Sequence, residues 1–213
     1  MSDRCFDEIA SEVSGLSTGF WGRLAFAAAC AERIFPFYLR YRNLKNLDID
    51  FGMDPYISAL DYIWICVGEM DFEEHKARQL LMVCEDVLPN EDEAWGTGCP
   101  YADDATAAVL YCLRFMLSGD QQEAIWAANR AYEVADNFVV NRTDHNIISR
   151  ANELEILHHP IIQNELSRQL RDLQELHFSS TEINAFQSLC HNLRQRAKKE
   201  AVTFLNSGSS GVQ

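Results

Sequence analysis

The stretch "NEDEAWGTGCPYADDA", Asn90 to Ala105, gathers five carboxylates, one Trp and two Gly with no Lys, Arg or His. Three chemistries suit such a set. Carboxylates converging on one point hold a metal cation. Two carboxylates in contrasting surroundings divide acid and base duties. Acids ringing an aromatic dock a positively charged protein.

The first two find little support elsewhere in the chain. His75 follows Glu73 and Glu74, His158-His159 precedes Pro160, and Asp103-Asp104 stand near a helix start, but H-E-x-x-H does not occur. His159, just before a helix-initiating Pro, reads as a turn residue that caps or packs. "GTGCPY" lacks both the Lys-Ser/Thr of a phosphate-binding loop and the third Gly of a dinucleotide fingerprint. No cofactor and no enzymatic activity are expected. Arg33 in "CAERI" and Asp61 in "LDYIW" lie beside the apolar stripes of their helices. They are expected to form a structural ion pair between the second and third helices. The basic run "RQRAKKE", Arg194 to Glu200, reads as a solvated helix end suited to the C-terminal dipole.

Charge is unevenly spread. The net charge is −14, yet residues 46–113 alone carry fifteen acidic and two basic side chains. Such a chain is not expected to bind nucleic acid or an anionic membrane directly. Seven Cys, an odd number without a C-x-x-C pair, read as buried reduced thiols. The start, "MSDRCFDEIASEV", shows no apolar signal core, and no apolar run reaches membrane-spanning length. The expected location is the cytoplasm.

The elements that must position these residues are helices. Apolar residues recur at helical spacing almost throughout, and strand-like alternation is missing. The spacing predicts an all-α, single-domain bundle of eight to nine helices over residues 1–205, with a disordered tail at 206–213. The first covers Asp3 to Val13. The second runs from Phe20 to Tyr41, with Pro36 kinking or ending it. Asp54-Pro55 starts the third, which stops near Gly68, and Asp71 caps the fourth, which ends near Val87. "LPNEDEAWGTGCP" is a loop. The fifth starts near Pro100, the sixth spans Gln121 to Val139, the seventh Asp144 to Leu157, and Pro160 opens the eighth. "SSTE" reads as a capping box for the ninth, ending near Leu205.

Four segments together resemble domain-of-unknown-function family 416, the YjaG-like proteins: "FAAACAERIFPFYLRY", "YISALDYIWICV", "EDVLPNEDEAWGTGCPYADDATAAV" and "HHPIIQNELSRQLRDLQEL". They are similar to its C-E-R-I-x-P-x-Y, L-D-x-I-W, Y-G-x-x-P-A-x-D-A and H-P-x-I-x-x-E elements, the first departing slightly in reading Cys30-Ala31-Glu32-Arg33-Ile34-Phe35-Pro36. The third also departs from the pattern, with Trp95 for Tyr and additional residues between Trp95 and Ala105. The resemblance implies an all-helical, soluble bacterial protein without a known active site. It also implies a lead, since members of such families turn up as immunity proteins beside toxins.

An inhibitor of a nucleic-acid-cutting toxin should be an acidic mimic, because such toxins are basic. The expected function is therefore an immunity-type inhibitor of a cognate basic effector, a nuclease being suspected. Its partner-binding residues are Glu91, Asp92, Glu93, Trp95, Tyr101, Asp103 and Asp104. The alternative is a cytoplasmic helical structural or regulatory protein whose acids form a merely solvated face. The inhibitor reading requires the acids of the middle third to gather on one exterior region.

Overall fold

A computed structural model describes residues 5–45, 54–141, 150–177 and 182–209, with backbone alone at 150–152 and 202–209. Ten helices and no strand occur among these residues: α1 (Phe6–Gly15), α2 (Gly19–Leu44), α3 (Pro55–Glu69), α4 (Glu74–Asp86), α5 (Glu91–Gly96), α6 (Ala102–Ser118), α7 (Gln121–Val140), α8 (Arg150–Leu157), α9 (Pro160–His177) and α10 (Ile183–Ser209).

α2 is the axis of the bundle. Every residue from Leu24 to Phe35 is buried, as befits a helix covered on all sides. Its small residues, among them Ala25, Ala27, Ala28, Ala29 and Ala31, let neighbouring helices approach closely. α6 and α7 meet it with small residues of their own, such as Ala105, Ala108, Ala128 and Ala131, and α10 lies along another flank. α2 continues through Pro36 to Leu44, so the proline does not end it. The helix already has its apolar packing on both sides of that point, which offsets one lost backbone hydrogen bond.

Asp54 starts α3 as its sequence suggests. Its Oδ1 accepts the amide N–H groups of Tyr56 at 3.0 Å and Ile57 at 3.1 Å. Its Oδ2 accepts the Tyr38 hydroxyl and pairs with Arg42 Nε, both at 2.8 Å, so one carboxylate caps α3 and fastens it to α2. α4 differs from expectation. It begins at Glu74, and Asp71 accepts from the Phe72 amide instead of capping it. α4 is lightly attached, with only Ala77 and Cys84 buried, and Leu88 beyond its end is exposed. Residues 91–96, expected as loop, form α5.

The expected starts of the first and seventh helices, Asp3 and Asp144, lie outside the described residues, as do residues 179–181 of the "SSTE" box and residues 210–213 of the tail. Helix α10 continues through 206–209, part of the tail expected to be disordered. Six Cys are buried and Cys5 is exposed, all with free thiols.

Candidate functional site

The acidic stretch forms a small ledge around α5. Asn90 accepts the Asp92 amide N–H at 2.9 Å, and Glu91, Asp92 and Glu93 fill the first turn, where the helix dipole favours anions. Ala94 is buried and anchors the helix. Its carbonyl accepts the Cys99 amide at 3.0 Å and the Thr97 hydroxyl at 2.8 Å, while Gly98, at φ +72°, donates to the Trp95 carbonyl at 3.0 Å. These bonds close the end of α5 and present Trp95, which is 49% exposed. Tyr101 stands edge-on to Trp95 at 6.3 Å and to Phe37 at 5.3 Å. Its φ of +78° is left-handed, a conformation that costs a bulky residue on the order of 1–3 kcal/mol and collects at functional sites.

The structure sorts the seven expected docking residues into two groups. Glu91, Asp92 and Trp95 are exposed, and Asp103 is half-buried. Glu93 is exposed but bonded to Lys45, whose ammonium holds its carboxyl below the usual carboxylate range. Tyr101 and Asp104 are only 7% and 9% exposed, so they offer a partner little surface. They sit where the chain turns into α6, and that helix packs inward on its first turn. Asp104 pairs with Arg130 at 3.1 Å. Burial, and next the Asp103 carboxylate, push its carboxyl up to about 6.

The acids of the middle third do not act as one surface. Asp54, Asp61, Glu74, Glu85, Glu93 and Asp104 are paired with Arg42, Arg194, Arg78, Arg114, Lys45 and Arg130. Among the described residues, Glu69, Asp71, Glu73, Asp86, Glu91, Asp92 and Asp103 enter no such pair. The first three precede α4 and Asp86, Glu91 and Asp92 follow along its far end. Thirteen helical residues separate the two groups by roughly 20 Å. Of the second group, Glu91 and Asp92 share α5 with Trp95.

The expected Arg33–Asp61 pair does not form. Arg33 is buried and turns toward the C-terminal helices: Nη1 meets Asp172 Oδ2 at 2.6 Å and Nε meets Glu165 Oε1 at 3.2 Å. Arg196 Nη2 and Arg171 Nη2 also reach Asp172, at 2.8 and 3.1 Å, so α2, α9 and α10 share one ionic lattice. Glu32, about 100° around the helix from Arg33, faces α3 and α10 instead. It accepts the Trp64 indole N–H at 2.8 Å and Arg194 Nε at 3.3 Å, and burial pushes its carboxyl above the usual range. Asp61 is held by the other arm of Arg194. The basic run 194–200 is only partly a solvated face: Lys198 and Lys199 are exposed, whereas Arg194 and Arg196 are spent on these carboxylates.

Other chemistry finds no constellation among the described residues. No group of three or more His, Cys, Asp or Glu could hold a metal ion there. His159 Nδ1 accepts the Ile161 amide at 3.3 Å, the turn role its position suggests. Gly15-Leu16-Ser17-Thr18-Gly19 matches the G-x-S-x-G pattern, but it joins two helices instead of a strand and a helix, and Ser17 donates to the His177 carbonyl at 2.8 Å. No helix of the described residues is long and apolar enough to cross a membrane.

The family model described as "Protein of unknown function (DUF416)" matches residues 8–205. The chain belongs to the DUF416 family. A crystal structure of a DUF416 family protein from Shewanella baltica OS155 shares the fold, with a TM-score of 0.69 and 16% identity over 88% of this chain and 93% of that one. No curated protein matches this chain. In this DUF416 chain three of the four resembling segments converge: Glu32 and Arg33 of the first, Asp61 and Trp64 of the second and Glu165 of the fourth all lie in the ionic contacts that dock α9 and α10. The third segment stands apart, on the α5 ledge.

Proposed function

We propose that this chain is a cytoplasmic interaction protein, an immunity-type inhibitor that docks a basic effector on the α5 ledge alone, a narrower surface than the single gathering of middle-third acids that the sequence reading required, with a nuclease as the natural candidate. The observation that carries the reading is Trp95, half exposed on a backbone locked by its own hydrogen bonds and flanked by the unpaired carboxylates of Glu91 and Asp92. A pre-positioned aromatic loses little freedom on docking, and an acidic surround accelerates encounter with a cationic protein. Tyr101, itself buried, stands edge-on against Trp95 and helps hold it in place.

The test is protection of cells expressing a basic toxin encoded beside this gene. The parent should rescue growth. Trp95→Ala, removing an anchor worth about 2–4 kcal/mol, should weaken toxin binding by a factor of about 30 or more. Glu91→Lys/Asp92→Lys should abolish rescue while circular dichroism and melting temperature stay at parent values. Rescue by the charge-reversed variant would refute the assignment of the ledge, and failure of the parent to rescue or to bind would refute the inhibitor reading itself.

A further inference from the structure

A cavity of about 280 Å³ opens between α2, α3 and α10, well away in sequence from the α5 ledge. Its floor is apolar, built from Phe35, Leu39, Ile57 and Leu60. One wall is ionic, and three of its four charged groups are committed. Glu32, 7% exposed, takes the Trp64 indole N–H and Arg194 Nε. Arg194 spends its second arm on Asp61 Oδ1.

Lys198 differs from the others. Its Nζ stands 3.8 Å from Glu32 Oε1, beyond hydrogen-bond reach, and its side chain is 47% exposed. It donates no hydrogen bond among the described residues. An ammonium with three unspent donors therefore stands at the lip of a greasy hollow. The hollow lies below the size range of drug-sized pockets, so its occupant is small.

We propose that this cavity binds a small carboxylate with an apolar body, the carboxylate accepting from Lys198 Nζ and the hydrocarbon lying on Phe35, Leu39, Ile57 and Leu60. A short-chain acid and an apolar α-amino acid share this chemistry. Asp61 distinguishes them, because its side chain is 56% exposed and Arg194 engages only its Oδ1, leaving Oδ2 for an α-ammonium.

Calorimetric titration of the full chain with hexanoate, L-leucine and hexylamine tests this. At least one carboxylate should bind and hexylamine should not. Tighter binding of leucine identifies an amino acid as the source, and tighter binding of hexanoate a simple acid. Lys198→Gln should weaken the bound carboxylate about tenfold, the loss of a charge-assisted hydrogen bond. Ile57→Trp should fill the hollow and remove binding. Glu91→Lys/Asp92→Lys should leave it unchanged, which separates this site from the ledge. The proposal is overturned if neither carboxylate binds up to about 10 mM, if hexylamine binds as well as hexanoate, or if Lys198→Gln binds like the parent. Lys198 holds no hydrogen bond among the described residues, so its replacement keeps the test valid even where Ile57→Trp does not fold.

Discussion

Replacing Asp104 with Asn should flatten the dependence of stability on pH between about pH 4 and about pH 6. The Asp104 side chain is 12% exposed, and burial is the largest influence on its carboxyl, with the Asp103 carboxylate next. Arg130 opposes them from 3.1 Å but is shared with Glu133 at 2.7 Å. The outcome is a rise from 3.8 to about 6. A raised value means that the folded protein holds the proton more tightly than the unfolded chain does. The resulting stabilisation is complete below 3.8 and is lost as pH rises through about 6. About two units correspond to about 2–3 kcal/mol. Asn removes the titrating group while keeping an acceptor for Arg130. Urea unfolding of parent and variant at a series of pH values measures the difference directly. The parent should gain about 2–3 kcal/mol relative to Asp104→Asn between neutral pH and about pH 4. A flat difference, or one that shrinks toward acid, would show that Arg130 outweighs burial and that the reasoning about this carboxylate is wrong.

Two further outcomes follow from packing and charge. Arg33→Leu should cost about 3–5 kcal/mol in chemical denaturation, because Glu165 and Asp172 stay buried without their shared cation, whereas Asp61→Asn, at an exposed carboxylate, should cost less than about 1 kcal/mol. Equal losses would contradict the lattice described above. Gly22→Ala should lower stability by about 1–3 kcal/mol, since the added Cβ would stand 1.8 Å from Thr18 Oγ1 and 2.6 Å from Thr18 Cβ. Gly68→Ala, whose Cβ meets nothing within 4 Å, should be neutral or stabilising by about 0.5–1 kcal/mol in the same assay.

The helices were legible because local rules govern them. The stripe of α9, the Asp54-Pro55 start of α3 and the extent of α7 all depend on residues within a turn or two of each other. α5 was missed because a six-residue helix presents too few turns for a period to show, and its Gly-rich end reads as loop. Five acids near a Trp were visible, but burial divides them. Nothing in "YADDA" says that Tyr101 and Asp104 face inward while Asp103 lies half open, since adjacent positions on a helix point about 100° apart.

Composition and periodicity alone determined that this chain is all-helical, that its excess negative charge comes from its middle third, and that its Cys are mostly interior. Tertiary structure alone decided which charges remain available. Arg33 takes its partners from Glu165 and Asp172, Asp61 takes Arg194, and Lys198 keeps a 3.8 Å ion pair with Glu32 but no hydrogen bond among the described residues. Hydrophobic periodicity is a property of neighbours along the chain, whereas an ion pair joins side chains more than a hundred residues apart, and its choice is made only when α10 settles between α2, α3 and α9.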